Sequence, residues 1–349
     1  MSFRDNIRYV TPYVPGEQPQ GEVIKLNTNE CPYPPSPRVA ESLAALKVDD
    51  LRKYPDPAAR MLTDSIAEYY GLSPEQVFVG VGSDDCLALC FLTFFGGQKP
   101  ILFPDITYSF YKVWANVYDI TYTEIPLAED FSVTATDYRR ENGGICLANP
   151  NAPTGLAMPL ANIEAIVAAN QDSVVIIDEA YIDFGGETAL PLLDKYENLL
   201  IVRTMSKSRA MAGMRIGYVF GCPELIKCLN DVKFSINSYT MNLPSLVAGQ
   251  AAMADDAYFR DIIAKIKHTR AQTMRSLSAM GFVMPDSATN FIFAAHPQVK
   301  AAQLFESLKE RRIYVRYFNA PRIDNYLRIT VGTDAEMEKL LAALKELIE

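Results

Sequence analysis

Histidine is nearly absent from this chain, with only His268 and His296 in 349 residues. No G-x-S-x-G turn accompanies them, so a Ser-His hydrolase would lack both its nucleophile elbow and a well-placed base. Clustered positive charge is missing too. Basic residues number 33 against 42 acidic, the net charge is -9, and no Lys/Arg run exceeds a pair such as Arg311-Arg312. A protein that grips a phosphate backbone needs the opposite balance. A few arginines converging in a cleft can still attract a small anion, because a local field does not follow the global charge. The six cysteines (Cys31, Cys86, Cys90, Cys146, Cys222 and Cys228) form no C-x-x-C pair, and each lies in or beside an apolar or turn segment. They read as buried free thiols rather than a metal or redox site. The opening MSFRDNIRYV carries no apolar signal core, and no run nears the ~20 apolar residues of a membrane span. A cytoplasmic protein is expected. Internal repeats and low-complexity tracts are absent. A nicotinamide dehydrogenase needs G-x-G-x-x-G with an acidic residue ~20 positions on, and VGVGSDD at 79–85 lacks the third glycine.

What is present is apolar patterning. Hydrophobic residues make up 49% of the chain, enough to bury a large core and, at this length, to form about two domains. Residues 1–37 are rich in proline and turn formers (TPYVPGEQPQGE, CPYPPSP) and read as an extended arm that packs on the smaller domain or on a partner subunit, with a helix starting near Arg38. From 38 to 255, short apolar runs alternate with helical patterns: VFVGVG before a helix from Asp84 to Phe95, PILFPD before a helix from Tyr108, then GGICLANP, VVIIDEA, NLLIVRT and RIGYVFG. Strands buried on both faces have this character, so an α/β domain with a mostly parallel sheet sandwiched by helices is expected. From 256 to 349 the pattern changes to a long amphipathic helix, FRDIIAKIKHTRAQTMRSLSAMGF. Strands NFIFAAH, IYVRYF and YLRITVG follow, then a final helix, AEMEKLLAALKELIE. A smaller α+β domain follows from it.

Ligands of open α/β sheets bind beyond the carboxyl ends of strands, so the residues that follow each apolar run carry the functional question. After VFVGV comes Gly82-Ser83-Asp84-Asp85, with Ser83 at the expected N-cap. A helix start leaves free N–H groups that suit an anion, although a plain cap has the same sequence. Asp178 ends VVII, where a carboxylate needs a cation or hydrogen-bond donors. A protonated ring nitrogen would serve, and so would an ordinary capping role. Lys207 follows NLLIVRTMS. Lysines are mostly solvated, but one beside Thr204, Ser206 and Arg215 at a sheet's edge has the surroundings that lower an amine's pKa toward imine formation.

Together with Asn27-Thr28-Asn29-Glu30, Tyr54-Pro55, Thr107-Tyr108, Asn149-Pro150-Asn151-Ala152-Pro153-Thr154-Gly155, Asp178-Glu179-Ala180-Tyr181, Thr289-Asn290 and Arg328-Ile329-Thr330, these segments resemble the aspartate aminotransferase fold family (fold type I) of pyridoxal-phosphate enzymes, in order and over nearly the whole chain. Within it, Thr11-Pro12-Tyr13, Pro15-Gly16, Val315-Arg316 and Tyr326-Leu327-Arg328 are most similar to the branch whose substrate carries a phosphate. The resemblance implies pyridoxal 5'-phosphate as cofactor, held by Lys207 as a Schiff base. Asp178 would sit on the pyridine nitrogen, Tyr181 on the phenolic oxygen and Tyr108 against the ring. Ser83, Asp84, Thr204, Ser206 and Arg215 would hold the phosphate, together with Tyr54 from the second subunit of a homodimer. Where the family places Asn before Pro-Thr-Gly this chain has Ala152, and Asn151 stands as the substitute contact.

The implied reaction is ping-pong transamination, an amino donor passing its nitrogen to the cofactor and an oxo-acid or oxo-phosphate taking it. Tyr13, Asn29, Arg316 and Arg328 are the expected substrate residues. Two guanidiniums accept a phosphate or a carboxylate alike. Without the resemblance, an Arg in YVRYF or YLRIT reads as an outward strand residue. An aromatic-amino-acid aminotransferase or a threonine-phosphate decarboxylase of the same fold would use the same Lys207, Asp178 and Arg215, and a silent ligand-binding relative remains a further alternative.

Overall fold

In the computed structural model, which describes residues 2–349, the chain runs β1 (Ile24–Lys25), α1 (Pro37–Ala44), α2 (Arg60–Tyr70), β2 (Val77–Gly80), α3 (Ser83–Phe94), β3 (Ile101–Pro104), α4 (Phe110–Val117) and β4 (Tyr122–Ile125). It continues through β5 (Ile145–Ala148), α5 (Leu160–Ala169), β6 (Val175–Asp178), β7 (Leu199–Thr204), β8 (Gly217–Gly221), α6 (Pro223–Ile236) and α7 (Leu243–Met253). The last part is α8 (Asp256–Ala279), β9 (Phe291–Ala294), α9 (Ala301–Glu310), β10 (Ile313–Tyr314), β11 (Arg316–Tyr317), β12 (Leu327–Thr330) and α10 (Asp334–Ile348).

A seven-stranded sheet in the order β2-β8-β7-β6-β5-β3-β4 organises the first part. Every residue of β2, β3, β5, β6, β7 and β8 is buried. Their β-branched, apolar runs pack on helices on both sides, and the two resulting cores alternate residue by residue, Ile177 and Ile201 on one face and Ile176 and Val202 on the other. Period-2 side-chain alternation in a strand covered on both faces produces this division. All neighbours are parallel except at β8, which runs against both β7 and β2. That reversal matters for the site. The β7–β8 connection, residues 205–216, turns back at the carboxyl end of β7 instead of crossing the sheet, and so keeps Lys207 and Arg215 at the end where β2 and β6 also finish.

A three-stranded antiparallel sheet, β11-β12-β9, with α8, α9 and α10 forms a third core around Ile292, Leu304, Ile329 and Leu340. The arm packs here in extended form: β1 pairs in parallel with β10, and Leu26 is buried in this third core. One expectation changes. IYVRYF is not one strand, because the chain pairs with β1 at Ile313–Tyr314 and with β12 at Arg316–Tyr317, pivoting on buried Val315. The thiols also differ from expectation. Cys86, Cys90 and Cys146 are buried, Cys31 and Cys222 are half-buried, and Cys228 is exposed on α6. Among the described residues no helix is long and apolar enough to cross a membrane.

Candidate active site

The carboxyl ends of β2, β5, β6 and β7 open into a cavity of about 230 Å³, roofed by the arm and by β11 and β12. Tyr13, Asn29, Ser83, Asp84, Tyr108, Asp178, Tyr181, Ser206, Lys207, Arg215, Arg316 and Arg328 all line it. Residues separated by as much as 315 positions thus meet in one cleft because the small sheet is folded onto the strand ends of the large one.

At the floor, Asp178 ends β6. Its Oδ2 accepts from the Tyr111 hydroxyl at 2.9 Å and its Oδ1 from the Ala180 N–H at 3.1 Å. Burial raises its pKa from 3.8 to about 6, and those two donors restrain the rise. Tyr111 was not among the expected site residues. It lies inside α4, where an apolar-patterned Tyr reads as core, and only the packing of α4 against β5 and β6 reveals its hydroxyl's partner.

Lys207 stands opposite, its Nζ 3.2 Å from the Thr28 carbonyl and 5.9 Å from the centre of the Tyr181 ring. Burial, with Arg328 and Arg215 adding to it, lowers its pKa from 10.5 to about 8. An amine near 8 has an appreciable neutral fraction at physiological pH, the form that attacks a carbonyl. Tyr181 packs edge-on against Phe291, and its hydroxyl accepts from Asn29 Nδ2 at 2.8 Å.

The α3 end of the cleft differs in detail from expectation. Gly82, not Ser83, is the cap residue, with φ of 88°, and Ser83 is the first residue of the helix. Glycine is favoured there because side-chain-bearing residues rarely adopt this left-handed backbone, and the Arg215 guanidinium packs where a Cβ would stand. On the adjoining strand a Cβ at Gly217 would overlap the Gly82–Ser83 peptide. Ser83 is thereby freed from capping, and its hydroxyl joins the first-turn N–H groups at the cleft. Arg215 reaches the same spot, 3.4 Å from Ser206 Oγ and 3.6 Å from Asp84 Oδ2. The Asp84 carboxylate is already occupied by the Tyr108 hydroxyl at 2.8 Å, so only its backbone N–H is suited to an anion.

Three expected contacts do not line the cleft. Asn151 is buried behind it, donating to the Ile106 carbonyl and Thr154 Oγ1 and accepting from Thr107 Oγ1. Its amide is consumed by the loop, so it cannot stand in for the missing Asn, and the methyl of Ala152 forms that stretch of wall. Thr204, at the last position of β7, points inward and holds Ser206 through its backbone N–H and its hydroxyl. Tyr54 is 80% exposed and stacks on Tyr239, away from this chain's cavity.

At the roof, Arg328 lies over the rings of Phe291 and Phe318 and donates to the Asn27 carbonyl at 3.0 Å, while its buried Nε has no partner. Burial and the neighbouring Arg316 depress its pKa, although a guanidinium stays charged. Tyr13 stacks on Phe110 beside them, with ring centres 4.2 Å apart. An acid at the floor with an amine opposite it, an anion cradle at one end and two arginines at the roof make a cleft suited to a doubly anionic, nitrogen-bearing reaction system.

Residues 21–344 match the family model described as aminotransferase class I and II, and the chain belongs to that family. The fold and the cleft thus define an aminotransferase. More particularly, the chain is 50% identical over its full length to the histidinol-phosphate aminotransferase of Lactococcus lactis, covering 98% of that protein. It is 52% identical to that of Marinomonas, with 99% of each chain covered. The crystal structure of histidinol-phosphate aminotransferase from Sinorhizobium meliloti in complex with pyridoxal-5'-phosphate superimposes with a TM-score of 0.84 at 26% identity, over 93% of this chain and 90% of that one. L-threonine-O-3-phosphate decarboxylase from Porphyromonas gingivalis shares the fold at 20% identity, with a TM-score of 0.80 over 93% of this chain and 99% of that one.

Proposed function

We propose that this chain is a histidinol-phosphate aminotransferase that uses pyridoxal 5'-phosphate to exchange an amino group between histidinol phosphate with its oxo form, imidazole acetol phosphate, and glutamate with 2-oxoglutarate, a step of histidine biosynthesis. The observation that carries the reading is Lys207, an amine brought to a pKa of about 8 in a cleft with a carboxylate on one side and two arginines on the other. The 50%-identical relatives favour it over the decarboxylase, which is related at the level of the fold.

The donor set fits the cofactor. Asp178 is a buried carboxylate with a single donor on each oxygen, facing the cavity where a ring N–H would reach it. Ser83, Ser206, Arg215 and the free N–H groups of α3 suit a phosphate dianion, for which a helix start and a guanidinium are the natural partners. Ala180 and Ala152 leave space for a flat ring, with Tyr108 on the facing wall. When bound, pyridoxal phosphate supplies an electron-withdrawing ring that stabilises negative charge at the carbon being deprotonated.

The residues divide the remaining work. Lys207 Nζ would hold the cofactor and, as a free amine, would take the proton from the substrate's Cα. Asp178 keeps the ring nitrogen protonated, and Tyr181 donates to the phenolic oxygen. Arg316 and Arg328, beside Tyr13, grip the phosphate of one substrate and a carboxylate of the other, which lets one cleft serve both half-reactions. Tyr54 completes the phosphate site of a second copy in a homodimer.

The test is a donor screen on purified, cofactor-loaded protein, following the cofactor's visible absorption with histidinol phosphate, glutamate, phenylalanine, tyrosine and threonine phosphate. Rapid change with the first two and slow change with the rest is expected. Faster change with the aromatic donors would move the function to aromatic transamination. Lys207→Ala is expected to bind cofactor without a covalent link and to lose turnover by at least ~10²-fold to 10⁴-fold, and substantial residual transamination would refute its role.

A further inference from the structure

Asn29 was expected at the substrate, yet its side chain is almost wholly buried and turned toward Tyr181. Every polar group it has is spoken for. Its N–H donates to Thr330 Oγ1 at 3.0 Å, its carbonyl accepts from Asn290 Nδ2 at 3.0 Å, its Oδ1 accepts from Thr330 Oγ1 at 3.1 Å and its Nδ2 donates to the Tyr181 oxygen at 2.8 Å. The backbone at Asn29 is left-handed, with φ of 55°, a conformation that asparagine tolerates better than most residues.

This network sets the direction of one proton. A hydroxyl has a single hydrogen. The buried Thr330 hydroxyl receives the Asn29 N–H, so its own hydrogen must go to Asn29 Oδ1. With the amide reversed, that hydrogen would lose its acceptor inside the protein, at the full desolvation penalty of an unpaired group. Asn29 Nδ2 is therefore held toward Tyr181, whose oxygen acts as acceptor, and the Tyr181 hydrogen is left to point into the cleft on the side of Lys207. We propose that Asn29 is a positioning residue that turns Tyr181 into an obligate donor toward the cofactor's phenolic oxygen. The need arises because Ala152 presents a methyl group to the cleft and Asn151 is buried behind it, so neither wall residue can supply a second donor. The inference rests on the cofactor reading above.

The readout is spectroscopic. The visible absorption of the bound cofactor titrates as the nitrogen joining it to Lys207 loses a proton. A donor on the neighbouring phenolic oxygen favours the deprotonated form and lowers the midpoint. In Asn29→Asp the carboxylate accepts from both Thr330 and Tyr181, drawing the Tyr181 hydrogen out of the cleft. The midpoint is expected to rise by about one pH unit, a tenfold change in the proton equilibrium. In a Tyr181→Phe background the same substitution is expected to add little, since the hydrogen it redirects is already gone. A rise of equal size in both backgrounds would show a plain charge effect and overturn the proposal, as would no rise at all. Asn29→Gly keeps the backbone bonds and tolerates the left-handed conformation. It is expected to raise the midpoint by less, and only when Tyr181 is present, so it serves if Asn29→Asp does not fold. If the unsubstituted protein shows no visible band with pyridoxal phosphate, the cofactor reading itself fails, an outcome distinct from a band whose midpoint ignores Asn29.

Discussion

Asp178 and Glu179 are consecutive carboxylates at the end of β6, both buried, and they face opposite layers of the molecule. Glu179 looks into the layer below α2 and finds a complete set of partners. Arg203 bonds it through Nε at 3.0 Å and Nη2 at 2.7 Å, Thr188 donates at 2.8 Å, and the Ala189 N–H donates to its other oxygen at 2.6 Å. Although burial pulls the other way, Glu179 holds the Arg203 guanidinium above its ordinary value, and the cation also lies over the Tyr70 ring. Burial lifts the pKa of both carboxylates, but Asp178 looks into the cleft with two donors and no cation, and its pKa climbs to about 6. Lys207 and Arg328, across the same cleft, are likewise short of compensation. The contrast separates structural charge from functional charge by completeness of pairing: a saturated buried pair holds the fold, whereas an undersupplied one waits for a ligand.

Removing a partner from the saturated side should do the most damage. Arg203→Met strands Glu179 in the core and is expected to destabilise the protein by about 3–5 kcal/mol, read from denaturant unfolding. A loss below about 1 kcal/mol would mean that the two sides do not differ as described. The undersupplied side should respond in the opposite sense. In cofactor-free protein the folded pKa of Asp178, about 6, exceeds the ordinary value of 3.8, so the folded state binds the proton more tightly. The associated stability is present below about pH 4 and lost as pH rises through 6. Asp178→Asn should therefore stabilise the cofactor-free protein at pH 7.5 by on the order of 3 kcal/mol, read as a higher melting temperature, with little gain at pH 4, and should weaken cofactor binding. An equal gain at both pH values would break the argument. The smallest effect is expected at the wall. Ala152→Asn adds a neutral donor worth about 0.5–1.5 kcal/mol and should lower the cofactor's absorption midpoint by up to about one unit. An unchanged titration would show that Tyr181 already saturates that oxygen.

Much of this was legible beforehand. Six of the seven strands of the large sheet announced themselves as short apolar runs, because strands covered on both faces favour apolar residues, with a polar one such as Arg203 admitted only where it is paired. The polar tails of those runs located Asp178, Ser206 and Lys207, since a sheet that is apolar along its length can concentrate chemistry only at its ends. What failed was local. Ser83 looked like a cap because Ser precedes helices, but the chain turns into the helix through a φ of 88° at residue 82, which favours glycine and places the cap there. Asn151 and Thr204 had the right residue types beside the right motifs, and which way each side chain turned depended on neighbours far along the chain. Tyr111 was hidden by an apolar helix face that looked like any other.

Local pattern along the chain was therefore enough for the class of fold and the end of the sheet where polar residues gather, because apolar periodicity and strand ends are properties of neighbouring residues, whereas the choice of Lys207 and Asp178 as amine and opposing acid came from the family resemblance. Tertiary structure alone decided which polar groups are saturated. Arg328, Asn29 and Lys207 meet only after β12 and the arm close over the strand ends, and the direction of the Tyr181 hydrogen is set by Thr330, some 150 positions away, whose own single proton leaves no other arrangement without an unpaired buried group.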